Sequence, residues 1–467
     1  MHVMQKADHK YLHREAEPEA RIAIPARTYG HALVIPAYGE GDNLLRTLGS
    51  VPSGPRGDVL IVLVVNARAD APAEMHAANQ ALLARLRDTY PLVRGESVLS
   101  TTPSMTLYDH PRGTLLLIER SHAPCFLPDG QGVGLARKIG TDVAWAFHLA
   151  GKVASPWLHG TDADVVLPPD YFSLDGDVLP PASGPLGGTG RPAALIHPFD
   201  HLCDADDAGL ADAMRRYEIW LRYYVLGLAW AGSPYAFHTI GSTIAVDAGA
   251  YARVRGYPRR SAGEDFYFLN KLAKVGSVVT LSGEGREPIR IDGRASGRVP
   301  FGTGRALGVL RSGVVDGADY RLYHPRVFGA LACWLRVLAR WPLPGDVRDA
   351  VTSEAAAHDV DGDALVSVLE GMNAFAAVDE AAARPGGADA FRRHIHTWFD
   401  GFRTLRFMHE MRDRFEPSPP LREALRLSTH LPWAPPLADA ELETLRQRFA
   451  HQEGVRFRGG GGGGGRF

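Results

Sequence analysis

Apolar residues follow two rhythms along this chain, and the change comes near residue 306. Before it, short β-branched runs alternate with longer stretches of helical period. HALVIPA (31–37), VLIVLVVN (59–66), TLLLIERS (114–121), SPWLHGTDAD (155–164), AALIHPF (193–199) and GSTIAVD (241–247) read as strands. DNLLRTLGSV, AEMHAANQALLARLRDTY, GLARKIGTDVAWAFHLAG, ADAMRRYEIWLRYYVLGLAW and EDFYFLNKLAKVG read as the helices between or after them. Such alternation predicts an α/β fold with a parallel, doubly wound sheet. Beyond Ala306 strand patterns are few, and amphipathic helices are expected at Pro325–Trp341, Ala364–Ala377, Ala390–Phe415 and Ala438–Glu453.

The expected organisation is therefore an N-terminal arm, loose or an edge element (1–28), an α/β domain (29–305), a helical C-terminal domain (306–455) and a flexible tail (456–467). The tail holds a run of seven glycines, and Pro168–Pro192, rich in Gly and Pro, reads as a surface connection. The 467 residues show no internal repeat.

Composition narrows the function classes. The net charge of −2 gives no reason to expect nucleic acid or an anionic membrane as partner. Cys125, Cys203 and Cys333 are far apart and form no CxxC, which favours a reducing compartment over disulfides or zinc. No secretory signal is read at the N-terminus, and the longest clean apolar run, Val59–Val65, is too short for a membrane span. A cytoplasmic protein is expected.

Candidate chemistry starts at Leu158–Tyr171, where Asp162 and Asp164 end an apolar strand. Two carboxylates one residue apart at a strand's C-terminal edge suit a hard divalent cation, Mn²⁺ or Mg²⁺. Open α/β sheets place their ligand sites at that edge. A turn or helix cap is the plainer reading, since Asp favours both. Four other segments join it. VIPAYGE puts Pro36, Ala37, Tyr38 and Glu40 at the end of the first strand, and Asn66 ends the second. DGQGVGLARK leads glycines into a helix start carrying Arg137 and Lys138, a setting that suits a phosphate as well as an ordinary basic turn. Gly263-Glu264-Asp265 opens a later helix, where acids serve as caps or, at Asp265, as a general base.

VIPAYGE, VVN, GxGLAR, TDAD and AGED, in this order and at these separations, resemble the GT-A-fold glycosyltransferases of family 2 over roughly residues 30–305. The resemblance implies a Rossmann-like, mostly parallel sheet flanked by helices. It implies that Pro36, Ala37, Tyr38, Glu40 and Asn66 surround the nucleoside, with Arg137 at the helix start. Asp162 and Asp164 would hold the metal against the diphosphate of a nucleotide-sugar donor, and Asp265 would take the proton from an acceptor hydroxyl, with Glu264 orienting the loop or binding acceptor.

There are departures from the family pattern. Gly39 stands where an Asn is usual, and the Gln-X-X-Arg-Trp motif and membrane helices of processive members are absent, so a polysaccharide synthase is not expected. In their place is a basic stretch with Arg286, Arg290, Arg294, Arg298 and Arg305, read as a loop that closes over the diphosphate or binds an anionic acceptor. A solvated surface loop is its alternative. His238 is a candidate third metal ligand. Trp220, Tyr223, Tyr224 and Trp230, at helical spacing, read as core rather than as an acceptor wall. Three rivals stand beside an inverting transferase: a retaining GT-A enzyme with a small anionic acceptor, a sugar nucleotidyltransferase, and a non-catalytic nucleotide-sugar-binding module.

Overall fold

The computed structural model describes residues 6–95, 97–174, 191–202, 207–281, 286–293 and 320–458. Its centre is a nine-stranded sheet. The strands are β1 (His31–Ala37), β2 (Val59–Asn66), β3 (Val98–Thr101), β4 (Ser104–His110), β5 (Gly113–Arg120), β6 (Trp157–Gly160), β8 (Ala194–Ile196), β10 (Ile244–Asp247) and β11 (Val278–Thr280). They lie in the order β11-β8-β10-β6-β1-β2-β5-β4-β3. The middle four, β6-β1-β2-β5, run parallel, as the alternation of strands and helices predicts. Both flanks are mixed: β10 enters antiparallel between β6 and β8, and β3-β4 fold back antiparallel on β5. A second sheet joins β7 (Val165–Val166), β12 (Ile289–Asp292) and β9 (Phe199–Leu202), with β12 in the middle.

Every position of β2 is buried, because both sheet faces are covered. That is why VLIVLVVN is a continuous apolar run instead of an alternating one. Each such Val, Leu or Ile contributes about 1.5–3 kcal/mol. The first seven helices are α1 (Lys6–Arg14), α2 (Asp42–Ser50), α3 (Ala73–Thr89), α4 (Val133–Leu149), α5 (Ala208–Trp230), α6 (Ala248–Arg253) and α7 (Glu264–Leu272). α4 lies close against β1 and β2. A Cβ on its Gly140 would come within 2.4 Å of Val34, so glycine allows the approach.

The N-terminal segment is docked against α4. Tyr11, Ala16 and Ala20 are buried. The Tyr11 hydroxyl and the Glu17 amide donate to the two oxygens of Asp142 on α4 at 2.5 and 2.8 Å, and Glu19 pairs with Arg120 at 3.0 Å.

Beyond Tyr320 come α8 (Pro325–Ala339), α9 (Val347–Ala357), α10 (Gly362–Gly371), α11 (Ala374–Ala382), α12 (Gly387–Trp398), α13 (Gly401–Arg414), α14 (Leu421–Leu427) and α15 (Leu442–Arg458). Two expected helices are each split. Asn373, at φ 59° in the left-handed region, separates α10 from α11. Asp400 ends the second run by capping α13, accepting from the Phe402 and Arg403 amides at 3.1 Å each. α9 and α14 are additions to the expected set. One apolar core joins Ile219, Tyr223 and Leu226 of α5 to Phe328, Trp334, Phe407 and Phe449, so these helices share a core with the α/β part. The expected boundary at 305/306 lies outside the described residues. Among the described residues no helix is long and apolar enough to cross a membrane.

Candidate active site

The parallel strands β1, β2 and β6 all end at one edge, and a cleft of about 690 Å³ opens there. This is the edge where open α/β sheets bind ligands, and the volume is that of a small-molecule site. Pro36, Ala37, Tyr38, Glu40 and Asn66 line one wall; Arg137, Asp162, Asp164, Glu264 and Asp265 line another; Arg68, Asp70, Tyr217, Thr239–Ser242 and Asp292 are also part of the lining. Five segments far apart in sequence are thereby gathered. Among the described residues of its lining, seven carboxylates, Asp70 among them, face the guanidiniums of Arg68 and Arg137, an acidic setting that favours a cation.

Arg137 is the node of the site. Its side chain is 4% exposed, and its Nε donates to Glu264 at 3.0 Å. One Nη reaches the Thr161 carbonyl at 3.4 Å, and the other donates to Asp162. One buried cation thus fixes the first acid of the Asp-X-Asp and the first acid of the Glu-Asp pair. Burial opposes its charge, but Asp162 and Glu264 outweigh that and raise its pKa above the usual value. Lys138, one residue on, turns about 100° around the helix. It leaves the cleft and donates to Asp142 and the Tyr11 hydroxyl at 3.0 Å each.

Gly132 and Gly134, at the start of α4, allow close packing: a Cβ on Gly132 would lie 3.1 Å from the Ser261 backbone, and one on Gly134 2.4 Å from the Pro258 carbonyl oxygen. The Gly134 amide, at the helix start, donates to the Arg260 carbonyl at 3.0 Å. The close contact holds the 258–263 loop, and with it Glu264 and Asp265, against α4. Asp265 lies in the first turn of α7; burial first, and the neighbouring Glu264 charge second, push its pKa up to about 7.

Asn66 is tied into the scaffold. Its side-chain amide donates to the Ala37 carbonyl at 2.9 Å and to the Val64 carbonyl at 3.3 Å. Asn79 on α3, which sequence reasoning missed, donates to the Asn66 carbonyl at 3.0 Å and accepts from the Gly39 amide at 2.9 Å. It pins the ends of β1 and β2 together. Its signal was weak: a lone Asn in a helical run.

His238 stands apart from the acidic pair. Its Nε2 lies 2.6 Å from Glu453 of α15, with only 3% of the side chain exposed, and it is not part of the cleft wall. Among the described residues no group of three His, Cys, Asp or Glu is arranged to hold a metal ion. The expected set of Asp162, Asp164 and His238 is therefore not assembled, because burial commits His238 to a carboxylate. Two carboxylates remain, which suits a hard cation that takes its other ligands from phosphate and water. Arg286 donates to the Ser173 carbonyl at 2.6 Å away from the cleft, and Arg290 is exposed on β12. Arg294, Arg298 and Arg305 lie outside the described residues, as does Cys203; Cys125 and Cys333 are buried free thiols.

No protein-family model and no curated protein matches the sequence. Among solved structures, the chain is similar to the mannosyltransferase PcManGT from Pyrobaculum calidifontis in complex with GDP-Man and Mn²⁺, at 16% identity over 84% of this chain and 92% of that one, with a TM-score of 0.32. It is also similar to S. aureus TarS 1–349, at 9% identity over 92% of each chain, with a TM-score of 0.31. At such scores neither likeness carries an argument about this chain.

Proposed function

We propose that this protein is a metal-dependent GT-A glycosyltransferase that moves a sugar from a nucleotide-diphosphate donor to an acceptor hydroxyl with inversion. The observation that carries the reading is the Arg137 bridge, which brings the Asp-X-Asp and the Glu-Asp pair into one cleft at the ends of parallel strands. The order of the five motifs, which resembles family 2, supports it independently.

In this reading Pro36–Glu40 and Asn66 shape the nucleoside pocket. Asn66 acts by holding the loop ends in place, since its amide is already bonded to the backbone. Asp164, with Asp162, would hold Mn²⁺ or Mg²⁺, which when bound supplies positive charge to the leaving diphosphate. Asp162 stays oriented by Arg137. Asp265 accepts the proton of the acceptor hydroxyl, whose oxygen bonds to the anomeric carbon as the bond to the diphosphate breaks. A carboxyl titrating near neutrality suits that work. Glu264 is paired with Arg137, and its charge raises the basicity of Asp265. No second reading has an observation of its own.

The test is release of nucleoside diphosphate from a panel of UDP-, GDP-, ADP- and CDP-sugars with Mn²⁺ or Mg²⁺ and a panel of hydroxyl acceptors. Turnover of one donor, lost in Asp265→Asn and accompanied by a β product from an α donor, supports the reading. An α product from an α donor overturns inversion, and release of pyrophosphate from an NTP and a sugar phosphate overturns transfer altogether.

A further inference from the structure

The strongest unassigned feature is an ionic cluster buried beneath the cleft, where α15 meets α5 and β9. Arg222 of α5 donates to Glu218 at 2.8 Å and to the Phe199 carbonyl at 2.6 Å, and also pairs with Glu453 of α15. Glu218 holds the His201 ring at 3.1 Å, and Arg446 of α15 reaches both Glu218 and Asp200 at 3.1 Å. Glu453 spends its second oxygen on His238, at 2.6 Å. Arg222, Glu218, His238 and Glu453 are all more than nine-tenths buried.

His238 matters because it leads directly into the cleft wall. Thr239, Ile240, Gly241 and Ser242 line the cleft. The Ser242 carbonyl accepts from the Thr161 hydroxyl at 3.0 Å, one residue before Asp162. Gly241 sits so close to Arg137 that a Cβ there would lie 2.3 Å from the guanidinium. The loop is thus the surface against which the Arg137–Asp162 pair rests, and it is tied from behind by a residue near the end of the chain. A network of this kind is costly to bury, and a carboxylate shared between a guanidinium and an imidazole is a rigid tie.

We propose that Glu453, on the C-terminal helix, is a positioning residue for the cleft: through His238 it fixes Thr239–Ser242 and so the Arg137–Asp162 pair. The ligand arm of the test rests on the donor-site reading; the backbone arm does not.

The experiment compares the full chain with Glu453→Gln, His238→Gln, their double variant and Arg446→Gln, all at a temperature where near-UV circular dichroism shows native packing. Amide hydrogen exchange of residues 239–243 is measured, together with affinity for UDP, GDP, ADP and CDP with Mn²⁺. Glu453→Gln and His238→Gln each speed exchange in 239–243 and weaken the nucleotide that binds, by about tenfold, and the double variant is no worse than the worse single. Arg446→Gln, which removes that helix's ion pairs to Asp200 and Glu218, leaves both readouts within about twofold. If Glu453→Gln lowers the melting temperature and leaves exchange and affinity unchanged, its role is stability alone and the proposal fails. Should Glu453→Gln not fold, His238→Gln decides, because it leaves the Arg222–Glu453 pair intact. A wild-type protein that binds none of the four nucleotides overturns the donor-site reading, while exchange at 239–243 still settles the tie.

Discussion

Asp265 combines two conditions that a general base needs: it faces the cleft, and burial beside Glu264 pushes its pKa up to about 7. Below that value the carboxyl is protonated and accepts nothing, so kcat/KM rises with pH through about 7 and levels above it. Bound positive charge in the cleft moves the limb to lower pH. Asp265→Asn removes the limb and lowers kcat about 10²–10⁴-fold; a profile that keeps its shape in this variant contradicts the assignment. Arg137 lends itself to a second test. Arg137→Lys keeps the charge but has no fork to hold Asp162 and Glu264 together. About 1–3 kcal/mol of stability is lost from the unsatisfied buried carboxylate, read as a fall in urea midpoint at constant slope. At this scale the acids were legible, because a carboxylate at a strand end or helix start is visible in sequence. Their partners were not. Nothing local couples Arg137 to Glu264 or His238 to Glu453, since tertiary packing alone makes those pairs.

Among elements, the contact of α4 with the 258–263 loop sets where Glu264 and Asp265 stand. Gly134→Ala drives a Cβ to 2.4 Å from the Pro258 oxygen and 2.7 Å from the Arg260 oxygen, both backbone. Backbone cannot rotate away as a side chain would, so the loop shifts. The variant loses about 1–3 kcal/mol in chemical denaturation and its activity falls further than its stability explains; unchanged denaturation contradicts the close packing. The long strands were legible as continuous apolar, β-branched runs, and α2–α5 by their helical period. β3 and β4 were not: VLST is partly exposed throughout, and SMTLYDH is buried at nearly every position without alternating. The breaks at Asn373 and Asp400 were missed because helical period continues across both while the backbone does not.

For the molecule as a whole, the sheet face opposite α4 buries His159 and His197 in a cluster with Tyr171 and Phe172. Among the described residues, both nitrogens of His159 and Nε2 of His197 have no hydrogen-bond partner. Burial, then the neighbouring His197 and His31, hold His159 well below its ordinary pKa; burial, then Arg286, push His197 down to about 3. The unfolded imidazoles take up protons below about pH 6.5, whereas in the fold His197 does not until near pH 3 and His159 is held neutral well below its ordinary range. These histidines therefore add stability above pH 6.5 that is lost as pH falls, at about 1.4 kcal/mol per pH unit for each. Urea midpoints measured between pH 7 and pH 4.5 check the slope, and His159→Phe flattens it; a midpoint that does not fall on acidification contradicts the neutral cluster.

The central claim is that the acidic cleft binds a nucleoside diphosphate only together with a divalent cation on Asp164. Calorimetric titration of UDP, GDP, ADP and CDP into the full chain, with Mn²⁺ and with EDTA, addresses it most directly, with Asp164→Ala alongside. The expected result is one nucleotide that binds with Mn²⁺, does not bind in EDTA, and is lost in Asp164→Ala while that variant stays folded. Equal binding with and without metal, or binding that survives Asp164→Ala, contradicts it.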